Sequence, residues 1–477
     1  MTVTLRQRTD FTLDMFHRVA WGREAVSLHS VSVTRMQQSR KAFLQLLDAE
    51  PDSTVYGVTT GYGQHASITL SRDERRAQAA RPPYAVVTGF GEPLPDRVAR
   101  GIVFARLTNF IEGHAAISPG LAQAVAALLD ASSLPSIPRL GSQAAGEIIA
   151  LGHLFAELAS THPLAEKDTL ALVNGSPCAT ALIADAALAA SRRWRLAAEV
   201  FALAAEAIQA PLDAYHPALA ELWQDDHEAA ALDTLRGWLE GGGAARRPYQ
   251  APVSWRIVPR ALGQAHRALA QAEQIARTGL QAVTDNPVYL APDPQYPHGR
   301  VLSNGGYHNG AAYPALDQLA ASWADLALLC DRQVNKLLDG KVSLLPDYLM
   351  EDEGYIGCLG FTVADCAQQA RVCAARTFLP GSEGGGFGQN DVAVPTFSAW
   401  HKESQSGRYF DACLAILAVV ASQALHVTRR KAPPNLESLL DTVRGSVAPV
   451  TKPRVLGTEV GELAEQFTAR VFESAQG

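Results

Sequence analysis

AYPALDQLAASWADLALLCDRQVNKLL, residues 312–338, is the stretch that decides the fold. Leu316, Leu319, Trp323 and Leu326 recur three or four apart, so they lie along one side of a helix. Alanine and leucine, both strong helix formers, fill much of the remainder. Similar runs extend from Gly120 to Ser132, Thr180 to Ala210, Ala261 to Val283 and Thr362 to Phe378. In each, apolar and small residues spread beyond a single stripe, the pattern of a helix surrounded by others or placed at a subunit interface. Strand-like alternation is sparse and short. The fold class is therefore mainly α, a bundle of long antiparallel helices with a smaller loop-rich N-terminal region. A soft boundary near residue 200 separates that region, 1–200, from a helical bundle and C-terminal region, 201–477.

The bulk numbers agree with such a body. Of 477 residues, 47% are hydrophobic and 19% charged, a globular balance with enough apolar mass for a large core. The net charge of −7 comes without long runs of one sign, which argues against nucleic acid as a partner. Arg246–Arg247 reads as solvated surface. The six cysteines lack CxxC spacing, so neither a zinc site nor a disulfide framework is expected, and no metal. Cys366 and Cys373, seven apart in a helical run, read as small core residues. The opening MTVTLRQRTDFTLDMF has no apolar leader, and no uninterrupted apolar stretch of about 18 residues occurs. The expectation is a cytoplasmic protein that does not engage a membrane.

Glycine- and proline-rich loops separate the helices: 56–63, 89–95, 135–146, 241–259, 285–297, 303–310 and 380–391. Loops on a rigid helical frame are where binding chemistry usually sits. Seven segments in or beside them resemble, in order, the signatures of the histidine/aromatic amino acid ammonia-lyase family. They are VYGVTTGYG at 55–63, TGFGEPLP at 88–95, LVNGSPCAT at 172–180, SWRIVPRALG at 254–263, VTDNP at 283–287, GGYHNG at 305–310 and QND at 389–391. The resemblance implies the fumarase/aspartase-like helical superfold. It also implies a homotetramer whose active sites combine loops from three subunits, and a catalytic tyrosine at Tyr56. It further implies a methylidene-imidazolone (MIO) electrophile cyclised from Ala-Ser-Gly.

That last part is missing. IPRLGSQAAGEIIALGHL at 137–154 lines up with the MIO segment, and the matching tripeptide is Ala144-Ala145-Gly146. Loss of the central serine hydroxyl as water makes the exocyclic methylidene. Alanine has no such leaving group, and Ser142 lies too far along the backbone to substitute. No cofactor is therefore expected. Val253, Val86, Asn390 and Cys358 stand where the family carries a tyrosine, a substrate-ring contact, a glutamate and an asparagine. Several departures together read as natural divergence, not a single substitution.

The retained constellation is Tyr56, Asn174 and Arg256, joined by Tyr307 and Gln389. An arginine fork suits a substrate carboxylate. Asn174 can hold an amide, hydroxyl or carboxylate, or can cap the helix that follows it. Tyr56 would move a proton. His153 and His308 read as structural, Cys358 has no evident base beside it, and Tyr249 marks a surface turn or swings into the space left by Val253. Three functions stay open. The first is an MIO-free lyase-type enzyme acting on a carboxylate-bearing aromatic or arylacrylate-like molecule by elimination, addition or isomerisation. The second is a conventional MIO-dependent ammonia-lyase or aminomutase, if Ala145 replaces a native serine. The third is a non-catalytic ligand-binding or scaffold homologue. Val86 and Val253 predict a ligand more apolar or larger than histidine.

Overall fold

The computed structural model describes residues 2–382 and 389–473. Among them, twelve helices of nine residues or more are labelled here. They are α1 (Ser30–Ala49), α2 (Asp96–Ile111), α3 (Pro119–Ala127), α4 (Ile148–Thr161), α5 (Pro177–Ala207), α6 (Asp226–Leu239) and α7 (Val258–Gln281). They continue as α8 (Ala312–Leu338), α9 (Leu359–Cys373), α10 (Thr396–Val427), α11 (Glu437–Ser446) and α12 (Gly457–Phe472).

The protein is mainly α, as its sequence implies. Leu316, Leu319, Trp323 and Leu326 of α8 are all buried. The partners run antiparallel. Along α8 and α10, Ser406 donates its hydroxyl to the Ala320 carbonyl and Trp323 donates its indole N–H to Glu403, so one number rises as the other falls. Along α5 and α7, Trp194 donates to the Leu262 carbonyl, and Thr180 lies against Gly279. Pro177 at the first turn starts α5 without wasting an N–H, and its alanine-rich body is buried almost all round. The soft boundary near residue 200 falls inside α5, which runs unbroken from Pro177 to Ala207, and one apolar core extends on both sides of it.

By length and mean hydropathy, segments 168–207 and Thr396–Val427 would be apolar enough to cross a membrane; 100% and 83% of those windows are buried against the rest of the protein. Several charged groups inside this core are paired across helices. Arg193 of α5 makes a two-pronged ion pair with Asp411 of α10, at 2.8 and 3.0 Å. Arg246 does not behave as solvated surface: it donates to the fully buried Glu206 at 2.8 Å. Half-buried Arg247 donates to the Val342 carbonyl. Cys366 packs against the core, and Cys373 is half-buried near the end of α9.

Three two-stranded sheets tie down loops. β1 (Thr2–Leu5) pairs in parallel with β2 (Ala25–Leu28). β3 (Phe90–Pro93) pairs with β4 (Pro138–Leu140), which delivers the chain to the Ala144–Gly146 turn. β5 (Val288–Leu290) pairs with β6 (Arg300–Leu302), which brings Asn286 beside Ser303 and Asn304.

Candidate active site

The Tyr56 loop is shaped by its own threonines. The Thr59 hydroxyl accepts from the Val55 amide at 2.7 Å and donates to the Ser53 carbonyl at 2.7 Å. The Tyr56 phenol oxygen accepts the Gly63 amide N–H at 3.1 Å. Tyr62 packs edge-on against it, with ring centroids 6.4 Å apart. Burial, with Tyr56 next to it, pushes the Tyr62 phenol up to about 12, so Tyr62 stays protonated.

The Ala144–Gly146 segment forms a tight turn just before α4. Gly146 takes a left-handed conformation, φ +67°, and a Cβ there would sit 3.3 Å from the Asn174 amide nitrogen. The left-handed backbone favours glycine here, and an added Cβ would press on the Asn174 amide. Glu147 follows, also left-handed at φ +58°, a conformation that strains a side-chain-bearing residue. The Ser142 hydroxyl points back to the Pro138 carbonyl, at 3.0 Å.

Asn174 does not cap α5. The residue before the helix is Ser176, whose side chain makes no cap, and the amides of Cys178 and Ala179 are satisfied by Glu147 at 2.6 and 2.8 Å. This acid arrives from the Ala-Ala-Gly turn, about thirty positions earlier, and the sequence reading missed it. Asn174 instead has its main-chain carbonyl gripped by the Arg106 guanidinium, and its side-chain oxygen is buried without a hydrogen-bond partner among the described residues. An acceptor left bare in a buried place carries a cost that a donor from a ligand would relieve.

Behind this wall lies a charge network excluded from water. Asp285 of the TDNP segment accepts from Lys167 at 2.7 Å and from Arg106 at 3.3 Å, all three side chains fully buried. Burial pulls both cations below their ordinary values, and Asp285 opposes that. Next to Asp285, the Asn286 side chain accepts the Asn304 amide at 2.8 Å, which shapes the opposite side of the site.

These parts converge on one cavity of about 310 Å³. Tyr56, Ala145, Gly146, Asn174, Tyr307 and Gln389 all line it. So do Asn286, Ser303, Asn304 and Asn390, giving walls rich in amides and hydroxyls. No charged side chain is among the described lining residues. A larger concavity, about 860 Å³ between Pro211 and Arg246, holds none of the motif residues.

The sequence profile of aromatic amino acid lyases matches residues 11–162 and 156–445. The chain belongs to the aromatic amino acid lyase family. A histidine ammonia-lyase of Paracidovorax citrulli is 26% identical over 487 residues, covering 94% of this chain and 93% of that protein. Among solved structures, the ergothioneine-degrading enzyme ergothionase from Treponema denticola, in complex with desmethyl-ergothioneine sulfonic acid, superposes with a TM-score of 0.89 at 18% identity. It covers 99% of each chain. A tyrosine aminomutase from Streptomyces globisporus gives 0.86 at 21% identity, covering 99% of this chain and 98% of that one. At these identities the two structures establish a shared fold.

Not every expected residue of this lyase-family chain reaches the cavity. Arg256 sits in the short helix Val253–Arg256, half-buried, its Nε donating to the Ala251 carbonyl at 3.0 Å, and is absent from the cavity wall. Its neighbours Tyr249, Val253 and Ile257 are exposed apolar side chains. The two valines from which a more apolar ligand was expected do not reach the cavity. Val86 packs on Gly152 of α4, and Val253 is on the outer surface, so neither lines the cavity. His153 accepts the Gly89 amide at 3.0 Å, a structural use, while Cys358 is exposed. Part of the 380–391 loop, residues 383–388, lies outside the described residues. No cluster of metal-ligating side chains occurs among the described residues.

Proposed function

We propose that this chain is a lyase-type enzyme that works without an MIO electrophile. On this reading Tyr56 moves the proton and the Asn174–Ala145–Gly146 wall holds a carboxylate-bearing aromatic molecule. One observation carries the reading. Tyr56, Asn174, Tyr307 and Gln389 converge on a turn whose central residue, Ala145, has no hydroxyl to lose. The residues at that turn do not fit the family's electrophile, since Ser142 is buried and committed to Pro138. A polar, ligand-sized cavity also favours an enzyme or binder over a scaffold with a collapsed site.

In the family's chemistry the electrophile activates a poor leaving group, a primary amine. A site without it suits a substrate whose leaving group departs unaided. In its phenolate form Tyr56 would accept the β-proton as the bond to the leaving group breaks, giving an arylacrylate. The ergothioneine-degrading neighbour supports this: ergothioneine is a betaine whose nitrogen is already quaternary, with no lone pair to add to an electrophile. We infer the same class here, aromatic amino acid betaines in preference to the amino acids.

The reading also needs a cation for the carboxylate, and none lines the cavity among the described residues of one chain. We propose that Arg256 of a second copy supplies it within a homotetramer. The exposed Tyr249, Val253 and Ile257 around it are the kind of apolar face that such contact would cover.

Two experiments test this. The first is intact mass with peptide mapping of residues 139–154. An unmodified loop is expected, whereas a loss of two waters there would return the conventional ammonia-lyase to first place. The second is a panel of histidine, phenylalanine and tyrosine beside their trimethylammonium betaines, following acrylate absorbance and released amine. Turnover of the free amino acids but not the betaines would overturn the leaving-group argument.

A further inference from the structure

Glu147 is the feature that neither the fold nor the chemistry above uses. It is fully buried, immediately after the Ala-Ala-Gly turn, in a strained left-handed conformation. Its two carboxylate oxygens accept separate amides at the start of α5, Cys178 at 2.6 Å and Ala179 at 2.8 Å. The buried Cys178 side chain lies beside the same carboxylate. Arg106 of α2 is the nearest charge, and it is itself committed to Asp285 and to the Asn174 carbonyl. Behind it stand Asp285 and Lys167, paired with each other at 2.7 Å.

We propose that Glu147 is a positioning residue: as a carboxylate it clamps the Asn174–Ala179 segment onto the Ala145–Gly146 turn, and taking up a proton loosens that clamp. The inference rests on the cavity above being the functional site. The chain from Asn174 to Ala179 is held at four points, by Arg106 on the Asn174 carbonyl, by Thr284 on the Ser176 amide at 3.0 Å, by the Ser176 hydroxyl donating to the Gly306 carbonyl at 3.4 Å, and by Glu147. Only the last bridges to the turn that carries Ala145. Asn174 stands against Gly146, and its bare side-chain oxygen is the acceptor the cavity offers. Moving the start of α5 therefore moves that acceptor relative to the turn.

The titration follows from the donor set. Cys178 N–H and Ala179 N–H each donate to a different carboxylate oxygen, so a proton taken up by either oxygen removes the charge that strengthens both bonds. Burial pushes the Glu147 carboxyl up to about 7, against the pull of those donors and of Arg106, which brings the change into the neutral range. The clamp is closed above that pH and opens below it.

Hydrogen exchange read by mass spectrometry on the full chain tests this directly. Protection of peptides within 173–180 is compared at pH 8 and pH 6 after correction for intrinsic exchange, with peptides from the middle of α8 as the reference. The native chain should lose about fivefold of its protection at pH 6, the equivalent of one net hydrogen bond of about 1 kcal/mol. Glu147→Gln should show the low protection at both pH values, because its amide end cannot accept an N–H. Glu147→Asp should keep a pH step, since it retains a carboxylate. A flat native profile, or a step that survives in Glu147→Gln, overturns the proposal, and the native profile decides it even if the variants fold poorly. Cinnamate and urocanate binding, measured alongside at pH 8, separates the two readings. A step without binding sinks the functional reading of the cavity and leaves the clamp standing; binding without a step does the reverse.

Discussion

Asp285 is the ion-pair partner of both Arg106 and Lys167, and all three side chains are sealed from solvent. Replacing it with asparagine keeps the shape and removes the charge. Two cations then face each other across a site where each has lost its counter-ion. Breaking a buried pair by removing one partner costs about 3–5 kcal/mol, because the charge left behind is neither solvated nor compensated. A 3 kcal/mol loss corresponds to a roughly hundredfold rise in the unfolded fraction, since each 1.4 kcal/mol is about tenfold. The measurement is the urea midpoint at fixed chain concentration. Two internal checks follow. The deficit should shrink as pH rises, because burial already holds the Lys167 ammonium below its ordinary value and deprotonation relieves the uncompensated charge. Lys167→Met added to Asp285→Asn should recover more than half the loss, leaving Arg106 with its grip on Asn174. A single variant within about 1 kcal/mol of the native chain, or a double variant no better than the single, would refute the view that this triad is held by charge compensation.

Tyr56→Phe should cut turnover of any substrate found by about 10²–10⁴-fold, the usual worth of a general acid–base, while ligand affinity changes little; near-full activity would remove Tyr56 from the chemistry. Arg256→Ala should weaken carboxylate binding by about 10- to 100-fold, as expected for a charged hydrogen bond, without changing the sedimentation coefficient; unchanged affinity would take it out of the site. If Arg256 crosses between subunits, oligomers reassembled from mixed Tyr56→Phe and Arg256→Ala chains should regain activity that neither has alone. Fully dead mixtures would show that both residues serve the same chain. Glu403, buried beside Trp323 and Arg193, has its carboxyl raised by burial to about 7. A carboxyl raised in the folded state binds its proton more tightly there than when unfolded, so its contribution falls as pH climbs from about 4.5 to about 7. Glu403→Gln should therefore gain on the native chain over that window by on the order of 2–3 kcal/mol, and a constant difference would refute the assignment.

How much of this was legible depended on whether the information lay in spacing or in partnership. Helix α8 was readable because its buried face is a stripe of leucines and a tryptophan at helical period. The five helical runs quoted from the sequence include α8 to its ends but omit α10, the longest helix among those described. The first half of α10 carries Glu403, Ser406 and Asp411, which look like surface residues in a one-dimensional pattern. They are buried because Trp323, the Ala320 carbonyl and Arg193 supply their partners from other helices. Arg246 was misjudged for the same reason, since Glu206, forty positions away, was invisible to it.

The site divides along the same line. Tyr56, Asn174, Tyr307 and Gln389 could be found because each sits in a short pattern with its own glycines, and the fold brings them to one cavity. The wall character could not, because it comes from Asn286, Ser303 and Asn304, placed by the β5–β6 pairing and by each other's hydrogen bonds. A substitution such as Val86 says what a position has lost, not which surface it now faces; here it faces Gly152. Glu147 shows the limit most clearly. An acidic residue after Ala-Ala-Gly reads as the start of α4, yet its carboxylate serves the start of α5 and thereby the placement of Asn174. The shape of the turn depends on Gly146, which lies against the Asn174 amide, and on Glu147, which holds the first turn of α5, three residues beyond Asn174.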